Sequence, residues 1–200
     1  MVRATSAAEA LEAVEAIRAG GIPILEITLT VPGAVKIIAE LTGRFGDETL
    51  IGAGTVLDAE SAQACIDAGA RFIVSPSLDI PTIELCRRLG VAIFPGALTP
   101  TEIVTAWKAG ADAVKVFPAN ALGGPTYLKS IKAPLPQIAL IPTGGVSLKN
   151  AGDFIAAGAF ALGIGADLVD LAALRRGEAN AITEKAREYV AAVASARGSA

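Results

Sequence analysis

The sequence has no histidine among its 200 residues. This absence excludes the Ser-His-Asp and Cys-His nucleophile systems and removes the usual ligand of zinc sites. Any acid–base chemistry must therefore come from Asp, Glu, Lys, Tyr, Cys or water. The two cysteines, Cys65 and Cys86, form no CxxC pair and fall in helix-like segments. We expect them to be reduced core thiols in a cytoplasmic protein.

Long apolar runs and basic clusters are also missing. No apolar run reaches the ~18 residues that a membrane span needs, and no apolar segment typical of a signal peptide follows the first five residues. The net charge is only -3 and no basic run occurs, so we expect neither a nucleic acid nor a membrane as a partner. Hydrophobic residues make up 52% of the chain and charged residues 18%, which favours one well-packed domain spanning residues 1–200.

A weak internal repeat indicates the architecture. A helix-like segment ends in glycine, and a short apolar run follows it. The predicted strands are 24–28, 50–55, 72–76, 92–96, 113–118, 138–143 and 160–165, with residues 1–3 as the stub of a first strand. Alternating strands and helices predict a parallel sheet, and eight such units would close as a (β/α)₈ barrel with a shortened first strand. The alternative is an open doubly wound sheet, but its GxGxxG turn is not found after the first long strand.

Helix starts can be read from capping residues. Ser6 is predicted to cap helix 7–19, Asp58 a helix ending near residue 68, and Thr99 a helix ending at residue 109. Pro32 favours the start of a helix that runs to about residue 45. Ser147 is predicted to cap helix 148–157, and the last helix is predicted at about 177–196.

Lys115 is the most unusual residue in the sequence. It lies in the run Ala-Val-Lys-Val-Phe-Pro, which predicts a strand buried on both faces. A buried ammonium is costly, so its pKa is expected to fall, and a partly neutral lysine is a nucleophile towards carbonyl groups. The alternative is a lysine whose stem is buried and whose amine reaches water or a carboxylate. Glu26 is equally isolated in an apolar strand, and such a pair could exchange protons.

Two glycine-rich stretches follow the last predicted strands. Gly144-Gly145 follows the seventh strand, and Gly163-Ile164-Gly165-Ala166 ends the eighth. Barrels often bind phosphate with the loops after these two strands, because glycines let backbone N–H groups approach an anion. The alternative is that the glycines only form tight turns. Their joint position favours a phosphate site.

Four motifs carry a resemblance to a known family. EITLT at 26–30, GAGTV at 52–56, KVFPA at 115–119 and PTGGV at 142–146 occur in order. With them the chain resembles the 2-keto-3-deoxy-6-phosphogluconate (KDPG) aldolase family of class I aldolases over nearly its whole length. The resemblance implies a (β/α)₈ barrel that cleaves KDPG, a phosphorylated 2-keto acid, to pyruvate and glyceraldehyde 3-phosphate. It implies no cofactor, no metal and a homotrimer.

The resemblance also implies roles for individual residues. Lys115 matches the Schiff-base lysine and Glu26 the general acid/base. The residues implied to contact the substrate are Arg3, Thr30, Thr55, Pro76, Phe117 and Thr143. Those implied to bind its phosphate are Gly144, Gly145, Gly163, Gly165 and Ala166.

Three positions depart from the pattern. Some relatives have an arginine where this chain has Thr30; others keep an arginine at the position of Arg3, which would then bind the carboxylate. A serine is common in the second phosphate loop where this chain has Ala166. Relatives usually have a helix and a complete strand before Arg3, whereas here we expect a shortened first strand and no N-terminal helix, so either the start is truncated or another element closes the barrel.

Other activities stay open at this point. They are a sister aldolase for the galactonate epimer or for 4-hydroxy-2-oxoglutarate (KHG), a phosphate-binding isomerase or synthase, and a non-catalytic scaffold built on the same barrel.

Overall fold

A computed structural model describes residues 1–198, so residues 199 and 200 of the predicted domain lie outside the described part. The strands are β1 (Ile24–Thr28), β2 (Leu50–Gly54), β3 (Phe72–Val74), β4 (Ala92–Phe94), β5 (Gly96–Ala97), β6 (Val114–Val116) and β7 (Leu140–Pro142). The α-helices are α1 (Ala7–Ala19), α2 (Ala34–Phe45), α3 (Ala59–Asp67), α4 (Ile80–Leu89), α5 (Pro100–Ala109), α6 (Pro125–Lys132), α7 (Ala151–Ala156), α8 (Leu171–Arg175) and α9 (Ala179–Gly198).

The strands run parallel and form the predicted (β/α)₈ barrel. They pair in the orders β1-β2-β3-β4 and β5-β6-β7. Pro95 separates β4 from β5, and its carbonyl accepts a hydrogen bond of 2.9 Å from the amide of Lys115. A bridge from Val2 to Ile27 supplies the shortened first strand. The backbone nitrogen of Met1 then donates to the carbonyl of Ile164 at 2.9 Å, next to the last strand position.

The predicted eighth strand at 160–165 is much shorter in the structure. Among the described residues its only bridge joins Gly163 to Thr143. Two backbone hydrogen bonds of 2.9 Å support it, from the Phe160 amide to the Leu140 carbonyl and from the Gly163 amide to the Pro142 carbonyl. The amides of residues 164–167 donate to no other group within residues 1–198. The apolar run predicted an extended segment correctly but overestimated its length, because its second half turns away as a glycine loop.

Several predicted caps are confirmed. The Ser6 hydroxyl accepts from the amide of Glu9 at 3.2 Å, and the Asp58 carboxylate accepts from the amide of Ser61 at 2.7 Å. Thr99 forms a complete capping box. These side chains satisfy amides that a helix start leaves without partners.

Two helix starts were predicted wrongly. Helix α2 begins at Ala34, two residues after Pro32, because Gly33 intervenes in a left-handed conformation with φ 74°. Ser147 caps no helix. The Asn150 side chain accepts from the Ser147 amide at 2.8 Å, and α7 begins only after this turn.

The last helix packs against α1 and α7 on the outside of the barrel. It begins at Ala179, two residues later than predicted, and α8 before it was not foreseen. Tyr189 of α9 is 1% exposed and points towards the loop that follows Gly165. No helix among residues 1–198 is long and apolar enough to cross a membrane.

Candidate active site

Lys115 lies at the centre of β6 and is the buried lysine of the barrel. Its register partners are Gly96 of β5 and Ile141 of β7, and it is only 3% exposed. Every other lysine in residues 1–198 is half-buried or exposed. The strand therefore holds one amine inside the barrel, where it is shielded from bulk water.

Burial lowers the pKa of Lys115 below its ordinary value of 10.5. The charge of Glu26 acts in the opposite direction and raises this pKa, while the charge of Arg3 lowers it further. Desolvation is the largest of these effects. Since only the neutral amine attacks a carbonyl, the barrel makes this lysine a better nucleophile than a surface lysine.

Glu26 enters the same space from β1. The residue is 8% exposed, and its Oε1 atom has no hydrogen-bond partner among the described residues. A buried carboxylate oxygen without a partner is costly to a protein. Glu26 and Lys115 line the same cavity, so a substrate carbonyl bound at the amine would lie in the space that the carboxylate also faces.

Two adjoining spaces surround these residues. The first, about 310 Å³, we call the lysine cavity; it is lined by Glu26, Lys115 and Thr143 together with Phe94 and Ile141. The second, about 490 Å³, we call the glycine cleft; it is lined by Arg3, Phe117, Gly144, Gly145, Gly163, Gly165 and Ala166. Met1 and Gly163 line both spaces.

The side chain of Met1 lies between the lysine and the glycine loops. Its Sδ is 3.9 Å from Nζ of Lys115, and a Cβ atom on Gly165 would lie 3.1 Å from its Cε. A substrate that extends from Lys115 to the loops needs this space. Methionine is unbranched and flexible, so rotation about its side-chain bonds can open the passage.

The glycine loops present free backbone donors to the cleft. Gly144 and Gly145 adopt φ values of 88° and 76°, which side-chain-bearing residues rarely adopt. The amides of Gly145, Gly165 and Ala166 donate to no other group in the described part of the chain. Free amides that converge on one cleft suit an anion such as phosphate.

Arg3 and Phe117 complete the cleft. Arg3 is exposed on the first strand and supplies a positive charge. The ring of Phe117 lies 5.2 Å from Nζ of Lys115, within the range of a cation–π contact. Phe117 therefore forms a wall between the amine and the glycine loops.

Thr143 and Gly163 meet in the lysine cavity. Thr143 is 1% exposed, and a Cβ atom on Gly163 would lie 2.0 Å from its hydroxyl oxygen. The absence of a side chain at 163 thus leaves the space that the Thr143 hydroxyl occupies.

The structure does not bring Thr30, Thr55 and Pro76 into either space. Thr30 is exposed, and its hydroxyl lies 2.7 Å from that of Thr28. Pro76 is half-buried just after β3. Thr55 follows β2 with φ 59° and is the one non-glycine residue of the described chain with a positive φ. A β-branched residue in this conformation is strained, and such strain often occurs at functional sites.

One group of residues at the cleft was missed from the sequence. Asp167 lines the glycine cleft and accepts hydrogen bonds from Tyr189 at 2.5 Å and from Lys185 at 3.0 Å. Burial raises the pKa of this carboxyl, but the bonds from Tyr189 and Lys185 outweigh it and hold the pKa below its usual value. Asp167 directly follows Gly165-Ala166, and this position could have indicated that it lies at the cleft. The sequence contains no sign of its contacts with Tyr189 and Lys185 of α9.

Comparison with known proteins agrees with this geometry. The family model described as KDPG and KHG aldolase matches residues 1–185. A 2-dehydro-3-deoxy-6-phosphogalactonate aldolase of Escherichia coli is 39% identical over 169 residues, which cover 84% of this chain and 82% of that protein.

Solved structures give the same result. A KDPG aldolase from Legionella pneumophila, with pyruvate captured as a covalent carbinolamine, superimposes with a TM-score of 0.87 at 32% identity, covering 94% of this chain and 90% of that one. A chain of a porous protein cage, designed by fusing symmetric oligomeric domains, superimposes with a TM-score of 0.88 at 34% identity, covering 98% of this chain and 72% of that one.

Proposed function

This chain belongs to the KDPG and KHG aldolase family of lyases, and we propose that it cleaves KDPG to pyruvate and glyceraldehyde 3-phosphate through a Schiff base on Lys115. One observation carries the assignment to Lys115: it is the buried lysine of the barrel, with a lowered pKa and an unpartnered carboxylate in the same cavity. A surface lysine with an ordinary pKa supplies far less of the neutral amine that the first step requires.

The reaction begins when Nζ of Lys115 attacks the C2 carbonyl of the keto acid. The carbinolamine loses water to form an iminium ion, with Glu26 moving the protons between nitrogen and oxygen. The iminium then withdraws electrons from the C3–C4 bond. Glu26 takes the proton of the C4 hydroxyl as this bond breaks, and the aldehyde leaves. Proton transfer by one positioned group typically contributes ~10²–10⁴-fold to such a step.

The remaining enamine is protonated at C3 and hydrolysed. Pyruvate leaves and the lysine amine is restored, so no metal or organic cofactor takes part in the proposed cycle. The phosphate lies in the glycine cleft on the free amides of Gly145, Gly165 and Ala166. Because residue 166 is alanine and not serine, no hydroxyl contributes there, and these amides hold the phosphate.

The carboxylate end of the substrate lies near Lys115. We assign its binding to Arg3, Thr55 and Thr143. Thr143 already lines the lysine cavity, and Arg3 lines the adjoining cleft. Phe117 lines the passage in this proposal, whereas Thr30, Thr55 and Pro76 lie outside both spaces and would reach the substrate only after the surrounding loops move.

Borohydride trapping tests the assignment directly. The protein is incubated with pyruvate, the imine is reduced, and the labelled peptide is identified by mass spectrometry. We expect the label on Lys115, and Lys115→Met should remove it. A label on another lysine would contradict the mechanism. Retention of the wild-type turnover rate by Glu26→Gln would show that Glu26 is structural. Trapping with no turnover of any keto acid would favour the non-catalytic scaffold.

The galactonate epimer is a second candidate substrate. Its support is the 39% identity to an aldolase named for that compound. The two substrates differ only in the configuration at C4, where Glu26 acts. Comparing kcat/KM for the two C4 epimers, and for KHG, decides among them; equal values would make the enzyme unselective at this carbon.

The proposed working form is a homotrimer in the cytoplasm. The similarity to a designed cage built from symmetric oligomeric domains supports an oligomer. Light scattering coupled to size-exclusion chromatography gives the mass in solution, and the mass of an active monomer would contradict the proposed homotrimer.

A further inference from the structure

Two asparagines hold the loop that follows β7. The amide of Asn120 donates to the carbonyl of Gly144 at 3.2 Å, and Nδ2 of Asn150 donates to the carbonyl of Gly145 at 2.9 Å. Residues 144–147 line the glycine cleft, whereas the two asparagines are not among its lining residues in the described chain. Both glycine carbonyls are therefore bonded to groups outside the cleft.

These two bonds determine where the next amides point. In a trans peptide the C=O of one residue and the N–H of the next point in opposite directions. Within residues 1–198 the only cis peptide precedes Pro118. With the carbonyls of Gly144 and Gly145 turned to the asparagines, the amides of Gly145 and Val146 point away from them, towards the cleft that both residues line.

The amide of Val146 was not predicted from the sequence as a phosphate ligand. Val146 is 5% exposed, and its N–H has no acceptor in the described part of the chain. A buried backbone N–H almost always has a hydrogen-bond partner. This amide therefore needs an acceptor that the chain itself does not supply.

Ser147 adds a hydroxyl group next to this amide. Oδ1 of Asn150 accepts from the Ser147 amide at 2.8 Å, so one side chain holds both Gly145 and Ser147. Ser147 is half-buried and lines the cleft, and its hydroxyl makes no hydrogen bond to any other described residue. A serine hydroxyl can donate one hydrogen bond. Position 166, on the other glycine loop, is alanine and has no hydroxyl.

We propose that the Val146 amide and the Ser147 hydroxyl bind the substrate phosphate, and that Asn150 is the positioning residue that orients both. The inference rests on the proposed function in one respect, which is that the glycine cleft receives the phosphate group. It adds two ligands and their support to the amides already assigned there.

The rest of the cleft is compatible with an anion at this place. The free amides of Gly165 and Ala166 enter the same cleft from the other loop, so a phosphate would meet donors from two loops. The carboxylate of Asp167 also lines the cleft, but Nζ of Lys185 lies 3.0 Å from it and offsets its charge.

Asn150 should act on the phosphate and not on the chemistry at Lys115. Gly144 is the part of the loop next to Phe117, since a Cβ atom on Gly144 would lie 3.4 Å from that ring. Its carbonyl bonds to the backbone amide of Asn120, and this bond does not depend on the side chain at 150. Loss of the Asn150 side chain therefore frees only residues 145–147.

Binding of inorganic phosphate to the 200-residue protein tests the proposal without catalysis. The broadening of the phosphorus NMR signal gives the Kd. We expect Asn150→Ala and Ser147→Ala each to raise this Kd about tenfold, as on losing a hydrogen bond to a charged group. Ser147→Thr keeps the hydroxyl and should stay within about twofold of the wild type. An unchanged Kd in either alanine variant, or a threonine variant as weak as Ser147→Ala, would overturn the proposal.

Matched control variants remove the same side chains elsewhere. Asn180 is exposed on α9, and Ser130 is exposed on α6, where its hydroxyl donates to the Thr126 carbonyl at 3.0 Å. Neither Asn180→Ala nor Ser130→Ala should change the Kd for phosphate. An equal rise in a control would show that the effect is not specific to the loop and would overturn the proposal.

Kinetics and trapping separate orientation of the phosphate from general support of the fold. With the phosphorylated keto acid, both alanine variants should raise KM about tenfold and leave kcat within about twofold. Trapping of pyruvate on Lys115 should be unchanged, because pyruvate carries no phosphate. A fall in pyruvate trapping by Asn150→Ala would overturn its positioning role. Ser147→Ala removes a single oxygen atom and keeps the test decisive if Asn150→Ala does not fold.

The failure of this proposal is distinguishable from the failure of the proposed function. If pyruvate labels Lys115 and neither alanine variant weakens phosphate binding, the aldolase mechanism stands and this proposal fails. If both variants weaken phosphate binding and pyruvate labels no lysine, the aldolase mechanism fails and this proposal stands.

Discussion

The carboxylate of Glu26 occupies the space that a side chain at residue 54 would need. A Cβ atom on Gly54 would lie 1.8 Å from Oε1 of Glu26, far inside contact distance. Gly54 ends β2, next to β1, which carries Glu26 two residues before its end. The glycine thus makes room for the general acid/base in the proposed mechanism, and does so without a positive φ.

Gly54→Ala should therefore displace Glu26 while the barrel still folds. We expect kcat for the keto-acid substrate to fall by ~10²–10⁴-fold, the range typical of losing one acid–base group. Steady-state kinetics and circular dichroism measure the two effects. The control is Gly43→Ala on α2, where nothing lies within 4 Å of the new Cβ; it should raise stability by about 0.5–1 kcal/mol and leave kcat unchanged. Near-normal turnover in Gly54→Ala would mean that Glu26 does not act from its present position.

Two charge-removing variants should move the pKa of Lys115 in opposite directions. The charge of Glu26 raises this pKa and that of Arg3 lowers it. Glu26→Gln should then lower the pH at which trapping of pyruvate is half-maximal, and Arg3→Gln should raise it. In the wild type the midpoint should lie below 10.5, the ordinary value for lysine.

The measurement is the initial rate of imine reduction as a function of pH. The comparison uses the pH of the midpoint and not the absolute rate. Slower chemistry in Glu26→Gln therefore does not affect it. Lys36 and Lys149, both exposed, serve as internal references labelled by a general amine reagent. A shift of both variants in the same direction would show that Glu26 and Arg3 do not act on Lys115 through their charges.

Much of the barrel and of its inner site could be predicted because each carries a local signal. A single charge in an apolar strand is visible in the sequence, and this identified Lys115 and Glu26 as neighbours inside one barrel. The fold class is confirmed as well, since a period of strand, helix and glycine repeats along the chain. The roles of the individual residues stay predictions until the experiments above are done.

Other features depend on which side chains and helices meet in the folded chain, and this cannot be predicted from the sequence. Ser147 is a good capping residue, yet Asn150 satisfies its amide and α7 starts later. The contact between Asp167 and Tyr189 exists only because α9 packs across α7 and α1. The position of Met1 between the two spaces likewise results from the way the barrel closes.

A surface ion pair at the first helix should make stability depend on pH. Hydrogen bonds from Arg175 and then from Thr5 lower the pKa of Glu9 to about 2 from its ordinary 4.5. Because the folded pKa is the lower one, this stabilisation is present above pH 4.5 and is lost as the pH falls towards 2. Arg175→Ala should lower the unfolding temperature above pH 4.5, and the difference from wild type should shrink between pH 4.5 and pH 2.

Thermal unfolding followed by circular dichroism at several pH values measures this difference. Arg187→Ala is the control, because it removes an exposed pair with Glu184 within one helix. Such pairs contribute little, so its effect on the unfolding temperature should be small at every pH. A difference between Arg175→Ala and wild type that stays constant over the acid range would contradict the assignment to Glu9.

The hydroxyl of Tyr189 should matter for phosphate binding although it lies outside the cleft. It donates to Asp167 and so holds in place the loop after Gly165-Ala166, which lines the glycine cleft. Tyr189→Phe should cost about 1.5–3 kcal/mol of stability, as expected for a buried hydrogen bond to a charged group. It should also raise KM for the phosphorylated substrate several-fold, with trapping of pyruvate unchanged. Tyr127→Phe, which removes a phenol bond to the Leu98 carbonyl, is the matched control and should leave KM unaltered. If both variants raise KM equally, or if pyruvate trapping falls along with it, then Tyr189 supports the barrel in general and not the loop that carries Asp167.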